Sequence, residues 1–313
     1  VKSMIKHQQQ SVHGLLPVWS HMANDNWCMS GYHSTSVLTD AITKGADVNK
    51  EEALKAMVVT SNVSYYDGIG DYIKLGYVPF DVNGTAASTT LEYAYDDWCI
   101  SLLAEALGDG PNREKYAAFA KGYQVYFDAS TRFMRGLDSE GNWRTPFNPR
   151  SSNHRNDDYC EGTAWQWTWF VPHDVDGLVE LMGGRDAFIG KLDSLFTADS
   201  KLEGESTSVD ISGLIGQYAH GNEPSHHIAH LYNYVGQPWR TQEIVDEVLH
   251  TLYFNNPDGL SGNEDCGQMS AWYILNAMGF YQVCPGKPVY SIGRPLFNEA
   301  TVHLKDGKSF KVI

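Results

Sequence analysis

The sequence predicts a mainly α-helical fold, an α/α toroid followed by a short β-rich segment. Up to residue 280, most of the chain consists of amphipathic stretches of ordinary helix length. The connections between these stretches are alternately short and long, as in a ring of helical hairpins. An alternation of apolar and polar residues typical of strands begins only after residue 281. We therefore expect a helical domain over residues 1–280 and a β-rich segment over residues 281–313.

Each helix is predicted by apolar residues at helical spacing that end at a glycine, a proline or a polar turn. Thr89, followed three residues later by Glu92, resembles a capping box and starts the longest helix near residue 88. Residues 68–84 are rich in turn formers, so no helix is predicted there. The predicted helices are 1–13, 36–42, 51–64, 88–107, 112–127, 161–170, 175–182, 186–196, 225–235, 241–253 and a stretch ending at residue 279; the predicted strands are 289–292 and 301–304.

Composition limits the function classes. Of the 313 residues, 42% are hydrophobic and 19% are charged, which predicts a globular chain with a sizeable core. The formal net charge of −15 argues against nucleic acid as a partner. No apolar run approaches the length of a membrane span. Five cysteines without a CxxC pair indicate neither a zinc ribbon nor a complete disulfide framework. The first residues lack the apolar core of a signal peptide, and we expect the chain to be part of a longer one.

A loop with two adjacent acids is the strongest candidate for chemistry. Glu264 and Asp265 lie between Gly262 and Gly267, and an apolar helical pattern follows. Glycine permits a tight turn, and a loop carried on a helix can hold a carboxylate in place without burying it. A second interpretation makes Asp265 the N-terminal cap of that helix. Both interpretations remain open from the local sequence.

A second candidate is the carboxyl of Glu161, which is followed by Gly162 and a tryptophan-rich stretch. Poor solvation raises the pKa of a carboxyl and keeps it protonated near neutral pH, as a general acid requires. The alternative is a carboxylate at a helix start with core tryptophans behind it. No glycine-rich nucleotide loop and no nucleophile elbow is present. Paired carboxylates are therefore the best-supported chemistry, and glycoside hydrolysis is their commonest use.

The third candidate is the histidine-rich segment 220–230. Asn222 and Glu223 offer hard oxygen ligands of the kind that calcium prefers, and Pro224 stiffens the loop. The histidines also admit a zinc site, but the segment lacks the His-Glu-x-x-His pattern. Histidines satisfied by hydrogen bonds at a helix start or in the core are the commoner alternative.

Long ordered matches connect these loops to a known family. They are the segments GLLP (14–17), CMSGYH (28–33), TLEYAYDD (90–97), EGTAWQ (161–166), GLIGQYAHGNEPSHH (213–227) and GNEDCGQ (262–268). With them, the chain closely resembles glycoside hydrolase family 92, the calcium-dependent exo-acting α-mannosidases, along nearly its whole length. The family has an N-terminal β-sandwich domain followed by an (α/α)6 catalytic domain. The resemblance implies that residues 1–280 form that catalytic domain, incomplete at its N-terminus, and that the full-length protein also contains the β-sandwich.

The resemblance also implies an activity and site residues. The expected reaction is calcium-dependent release of terminal non-reducing α-mannose from mannosides and N-glycans, with inversion in a single displacement. Glu161 is expected to be the general acid and Asp265 the general base, with calcium near Asn222 and Glu223. The remaining candidates are Glu264 and Asn263 as assistants to the base and Trp27, Trp165, His226, His227 and Asn263 as contacts to the sugar.

Inversion sets a geometric expectation. A water must fit between the sugar and the base, so the two carboxyls are expected roughly 6.5–9.5 Å apart. The alternative functions are a non-catalytic mannose-binding protein and another α/α-toroid glycosidase. The expected partner is a mannose-containing oligosaccharide or a glycoprotein glycan. A secreted, periplasmic or cell-surface location follows from the resemblance alone.

Overall fold

The computed structural model describes residues 1–22, 24–154 and 156–313, which are mostly helical with short strands. The mainly α class predicted from the sequence is confirmed. The chain divides into two compact units: Val1–Gly184 with Lys201–Ser208 and Cys284–Pro288, and Arg185–Ser200 with Val209–Val283 and Val289–Ile313. The boundary predicted at residue 280 falls inside the second unit and stays a prediction. No helix in the described ranges has both the length and the apolar character needed to cross a membrane.

The first unit is built mainly from helices. Its α-helices are α1 (Lys2–Gln10), α2 (Ser34–Thr43), α3 (Lys50–Thr60), α4 (Ile69–Leu75), α5 (Ala86–Leu107), α6 (Gly110–Phe119), α7 (Ala164–Trp167) and α8 (Val175–Leu181), with a 3-10 helix at Gly122–Tyr126. The antiparallel pairs are β1 (Ser20–His21) with β2 (Asn24–Asp25) and β3 (Phe127–Asp128) with β4 (Phe133–Met134), and β5 (Ser151–Asn153) pairs in parallel with β6 (Glu203–Ser206).

Helix α5 forms the centre of the first unit and is buried on nearly every side. It begins at Ala86, so Thr89 and Glu92 lie inside the helix and the capping box predicted there is wrong. The turn before α5 is held instead by Asn83, whose side-chain oxygen accepts from the Thr85 amide at 2.9 Å. The helix thus starts two residues earlier than the predicted residue 88.

Helix α4 was not predicted. Gly68 (φ +76°) precedes it and Gly76 (φ +80°) follows it, so glycines in the left-handed region delimit one short helix. A side chain at Gly68 would place its Cβ 2.6 Å from a methyl of Val78. In the sequence these glycines indicate only turns. The contact of Gly68 with Val78 cannot be recognised from the local sequence.

A buried polar network connects α5 to its neighbours. Asp97 accepts hydrogen bonds from the hydroxyls of Tyr32 (2.6 Å) and Tyr72 (2.9 Å), and burial raises its pKa to about 7 although both bonds oppose the shift. His33 lies 3.0 Å from Asp96. Burial lowers the pKa of His33, but the attraction and hydrogen bonds of Asp96 and Glu92 together outweigh this and leave the pKa well above its usual value. These bonds fix α5, whose first turn supports the loop that carries Glu161.

The second unit combines three α-helices in its described residues with short turns and hairpins. The helices are α9 (Arg185–Thr197), α10 (Pro238–Thr251) and α11 (Gln268–Ala277), with 3-10 helices at Glu223–Ser225, Ile228–Val235 and Lys305–Gly307. The antiparallel pairs are β7 (Leu214–Ile215) with β8 (Tyr218–Ala219), β9 (Phe280–Tyr281) with β10 (Ser291–Ile292), and β11 (Ala300–His303) with β12 (Ser309–Val312). The strands predicted near residues 289–292 and 301–304 are confirmed, and β12 was not predicted.

Buried histidines make the stability of the second unit depend on pH. His230 donates from Nε2 to the Asn276 side-chain oxygen (2.8 Å) and lies 3.2 Å from Ser291 Oγ through Nδ1. Burial lowers its pKa to about 4. The unfolded chain, with an ordinary pKa of about 6.5, therefore takes up the proton first as the pH falls. The contribution of His230 to the free energy of unfolding is therefore fully present above pH 6.5. It is expected to fall by on the order of 3 kcal/mol as the pH decreases towards 4.

Denaturant unfolding at pH 7 and pH 4.5 measures this loss. His230→Gln is expected to lose less stability between the two values than the wild type. His250→Gln is the matched control, because His250 is largely exposed. A pH dependence in His230→Gln equal to that of the control would contradict the assignment.

Candidate active site

Glu161 lies in a tight turn of the first unit. Its backbone is in the left-handed region, with φ +47°, and the residue is half-buried. The preceding Cys160 is held at both ends: its amide donates to Ser88 Oγ (2.9 Å) and its carbonyl accepts from Trp167 Nε1 (2.7 Å). A Cβ at Gly162 would lie 2.6 Å from that same nitrogen, so only glycine fits the turn. The backbone is thus fixed on both sides of the candidate acid.

The helix after Glu161 begins with a capping box formed by Thr163 and Gln166. The Gln166 side-chain oxygen accepts from the Thr163 amide at 2.7 Å. Trp167 and Trp169 are almost fully buried, so these two rings are core residues, as the alternative interpretation predicted. Trp165 is half-buried and packs edge-on against Phe133, with ring centroids 4.9 Å apart. Its contact with sugar and the raised pKa expected for Glu161 stay predictions.

Two buried acids precede this turn and were missed by sequence reasoning. Asp157 accepts from the amides of Asn153 (2.6 Å) and Tyr159 (3.0 Å), and burial raises its pKa to about 6 against those bonds. Asp158 pairs with Arg144 at 2.7 Å. The Asp-Asp pair a few residues before Glu161 was the available signal. Their contacts indicate that both acids support the loop.

Trp27 belongs to a separate aromatic cluster of the first unit. Its ring centroid is 5.3 Å from that of His13 and 5.2 Å from that of Tyr66, and 46% of the residue is exposed. The Asp25 carboxylate accepts from the Trp27 amide at 2.8 Å, which holds the loop. The ring is therefore fixed but accessible, as a sugar contact requires. That contact stays a prediction.

In the second unit, the loops of Glu223 and Asp265 meet at two glycines. A Cβ at Gly262 would lie 2.2 Å from the Gly221 carbonyl oxygen. A Cβ at Gly221 would lie 2.0 Å from Ser212 Oγ. The backbone of Gly221 excludes a side chain at Gly262, and the side chain of Ser212 occupies the place of one at Gly221. The structure thus brings the predicted metal loop and the predicted base loop together.

The two adjacent acids of the base loop have different environments. Glu264 accepts from the Gly267 amide (2.7 Å) and from Ser270 Oγ (2.6 Å) at the start of α11, and these bonds lower its pKa. It is therefore the cap of the helix, the role that the sequence alternative gave to Asp265. Asp265 is exposed, and no described residue donates a hydrogen bond to its carboxylate. Asp265 is thus the acid that remains open to water, and assistance by Glu264 stays a prediction.

The turn that carries Asp265 is unusual in its backbone. Asp265 (φ +53°), Cys266 (φ +54°) and Gly267 (φ +107°) follow one another in the left-handed region. Such conformations cost free energy for residues with side chains and persist where surrounding contacts impose them. Asn263 contributes to the same loop, with its side-chain nitrogen 3.2 Å from Asp210 Oδ1. Hydrogen bonds of Glu264 to Gly267 and Ser270 and of Asn263 to Asp210 are among the contacts that hold this turn.

His226 joins the metal loop to helix α11. Its Nε2 donates to the His220 carbonyl (3.0 Å), and its Nδ1 accepts from Gln268 Nε2 (3.1 Å). The His226 carbonyl accepts from Trp272 Nε1 at 2.9 Å. Burial lowers the pKa of His226 to about 4, so the ring is neutral at neutral pH. His227 is also buried, and sugar contact by either histidine stays a prediction.

The oxygen donors near Asn222 suit a hard cation. Asn222 is buried, Glu223 is exposed, and the buried hydroxyl of Ser225 has no hydrogen-bond partner among the described residues. Amide, carboxylate and hydroxyl oxygens are ligands that calcium accepts. Within the described ranges, no three His, Cys, Asp or Glu side chains are grouped to hold a metal. The oxygen donors of Asn222, Glu223 and Ser225 are therefore of a type that fits calcium, and calcium binding by Asn222 and Glu223 stays a prediction.

Comparisons with known proteins identify the family of the chain. An α-mannosidase of glycoside hydrolase family 92 from Bacteroides thetaiotaomicron has been solved in complex with mannoimidazole. It is 44% identical to this chain, and the match covers 99% of this chain and 41% of that protein, with a TM-score of 0.93. An inverting mannosidase of the same organism is 40% identical over 99% of this chain and 43% of its own, with a TM-score of 0.86. An uncharacterized secreted glycosidase of Arthroderma benhamiae is 28% identical over 98% of this chain and 42% of its own.

The chain therefore spans about two fifths of the length of these relatives. The model of the glycosyl hydrolase family 92 catalytic domain matches residues 1–313. The chain belongs to glycosyl hydrolase family 92.

Proposed function

We propose that the protein containing this chain releases terminal non-reducing α-mannose from mannosides and N-glycans, with inversion and with calcium bound. The proposal is carried by the 44% identity, over 99% of this chain, to an α-mannosidase solved with mannoimidazole. The inverting mannosidase at 40% identity supports the stereochemistry. Its substrate is a mannose-containing oligosaccharide or glycoprotein glycan, and its location is outside the cytoplasm, as the secreted relative suggests.

Glu161 is the proton donor in this proposal. It protonates the glycosidic oxygen as the bond to the leaving group breaks, which avoids expulsion of an alkoxide. The fixed turn around Cys160 and Gly162 supports this role because a general acid must be held within hydrogen-bonding reach of that oxygen.

Asp265 is the proton acceptor. Its exposed carboxylate takes a proton from a water molecule, whose oxygen attacks the anomeric carbon from the face opposite the leaving group. Glu264 serves this step indirectly, since its bonds to Gly267 and Ser270 hold the turn. Asn263 assists from the same loop.

Asn222 and Glu223 would hold calcium, and Ser225 follows two residues after Glu223. Bound calcium would supply a hard Lewis acid for sugar hydroxyls. The proposed sugar contacts are Trp27 and Trp165 of the first unit and His226 and His227 of the second unit. Gln268 keeps His226 in the tautomer with a proton on Nε2, so that its ring is oriented before the sugar binds.

Removal of calcium is expected to silence the enzyme. Mannose release from a panel of linkage-defined mannobioses is measured with chelator, after addition of calcium, and after addition of zinc. Calcium is expected to restore activity and to raise the melting temperature of the catalytically inactive Asp265→Asn variant. With the further substitution Glu223→Gln, the calcium concentration needed for the same rise in melting temperature is expected to be at least tenfold higher. Rescue by zinc alone would contradict the metal assignment, and a panel with no released mannose would contradict the function.

A further inference from the structure

A cavity of about 560 Å³ lies in the first unit, between the C-terminal half of α5, helix α6 and the segment around His173. This volume is in the range of small-molecule sites. None of the proposed catalytic or metal-binding residues lines it. Its walls are contributed by Trp98 and Glu105 of α5, by Arg113 of α6, and by Lys121, His173 and Asp174.

The cavity is distant from the Glu161 loop along helix α5. Ser88, which supports that loop through Cys160, lies in the first turn of α5. Trp98 comes ten residues later and Glu105 seventeen residues later. At 1.5 Å per residue, these positions are about 15 and 25 Å further along the helix axis. The cavity is therefore not an extension of the Glu161 turn.

One wall of the cavity is an aromatic surface that is already ordered. Trp98 is half-buried, and its ring stacks on Tyr95 with centroids 6.2 Å apart and planes 20° apart. The His173 ring lies 6.2 Å from Trp98 on the same wall. A Cβ at Gly286 would lie 3.3 Å from the edge of the indole, so the backbone also packs against it. A ring fixed in this way loses little conformational entropy when a ligand covers it.

The rim of the cavity is polar but its charges are largely paired. Lys121 lies 2.5 Å from Asp174, and Arg113 lies 3.2 Å from Glu114. Glu105 adds an exposed carboxylate. An anionic ligand would meet more acids than bases here, whereas the hydroxyls of a neutral ligand could both donate to carboxylates and accept from Lys121 and Arg113.

His173 adds a second ring to the wall of the cavity. Its Nε2 donates to the Ala120 carbonyl at 2.9 Å, which fixes the orientation of the ring. Its Nδ1 is buried, so the hydrogen-bonding groups that a ligand would meet are those of the charged rim. The contribution of His173 to the cavity is therefore its ring surface beside Trp98.

We propose that this cavity is a secondary binding site for a neutral oligosaccharide, with a sugar ring packed on Trp98 and its hydroxyls bonded to the charged rim. Aromatic faces offer a large apolar contact to the C–H groups of a sugar, and the rim supplies donors and acceptors. The choice of a mannan chain as ligand rests on the proposed function. The site would hold a long substrate on the protein while its end is processed elsewhere.

Affinity electrophoresis of the protein in gels containing mannan tests this proposal. Trp98→Ala is expected to reduce the retardation by mannan several-fold. Glu105→Ala changes an exposed position and is expected to reduce the retardation by about fivefold or less, because it removes one hydrogen bond to the ligand. Trp239→Ala is the matched control, because Trp239 is an exposed tryptophan of the second unit. Thermal melting checks that each variant is folded, and Glu105→Ala keeps the test valid should Trp98→Ala fail to fold.

Kinetics separate this proposal from the proposed function. Trp98→Ala is expected to raise KM for mannan while kcat/KM for a mannobiose stays at the wild-type value. Unchanged retardation and unchanged KM for mannan in both cavity variants would overturn the secondary site while leaving the mannosidase activity intact. Retardation that depends on Trp98 without any mannose release would instead support the site and overturn the proposed function.

Discussion

Replacing Asp265 with asparagine is expected to lower kcat for an unactivated α-mannoside by about 10³-fold or more, because the neighbouring carboxylate of Glu264 is engaged in hydrogen bonds to Gly267 and Ser270. Asparagine adopts the left-handed region more readily than most residues, so the backbone at φ +53° is expected to be retained. The variant should keep the wild-type melting temperature. Steady-state kinetics and thermal melting of the two proteins measure both effects.

Glu264→Gln is the matched control for Asp265→Asn, because the two acids are adjacent. Glu264 caps α11 through Gly267 and Ser270, so its replacement is expected to lower the melting temperature. Its effect on kcat should be much smaller than that of Asp265→Asn. A larger loss of kcat in Glu264→Gln than in Asp265→Asn would assign the base to Glu264.

Replacing Glu161 with glutamine is expected to separate substrates by their leaving groups. Glutamine has nearly the same shape but cannot donate a proton to the glycosidic oxygen. Turnover of unactivated mannosides should fall by about 10²–10⁴-fold, since proton donation contributes on that order. A dinitrophenyl mannoside needs little protonation, so its turnover should fall far less. Equal losses for both substrates would exclude Glu161 as the acid.

Asp157→Asn is the control for the first unit. Asp157 is a buried acid four residues before Glu161, and it accepts two backbone hydrogen bonds. Its replacement is expected to lower stability and to affect both substrates alike. A dependence on the leaving group in this variant would show that the test reports on loop distortion and not on proton donation.

The helices of the fold could be predicted because their apolar faces are local in sequence. The start of α5 and the whole of α4 could not. Asn83 outcompetes Thr89 as the residue that fixes the turn before α5, and Gly68 is a glycine because Val78 packs against it. The contact of Gly68 with Val78 joins residues ten apart and so has no local signal, whereas the bond of Asn83 to Thr85 is local and competes with the pattern at Thr89.

The site was predictable in its residue types but not in its division of roles. The adjacent acids Glu264 and Asp265 are equivalent in a local sequence, and only the hydrogen bonds to Gly267 and Ser270 identify Glu264 as the cap. The contact between Gly221 and Gly262 likewise has no local signal. The cavity beside Trp98 was not anticipated, since its walls come from three separate parts of the chain.

The anomer formed first by the protein that carries this chain is the most direct measurement of the mechanism. Proton NMR of an α-mannoside during hydrolysis in the presence of calcium follows both anomers before they equilibrate. Attack by a water that Asp265 deprotonates, on the face opposite the group that Glu161 protonates, predicts β-mannose as the first product. Initial release of α-mannose would require an even number of displacements and would contradict the account.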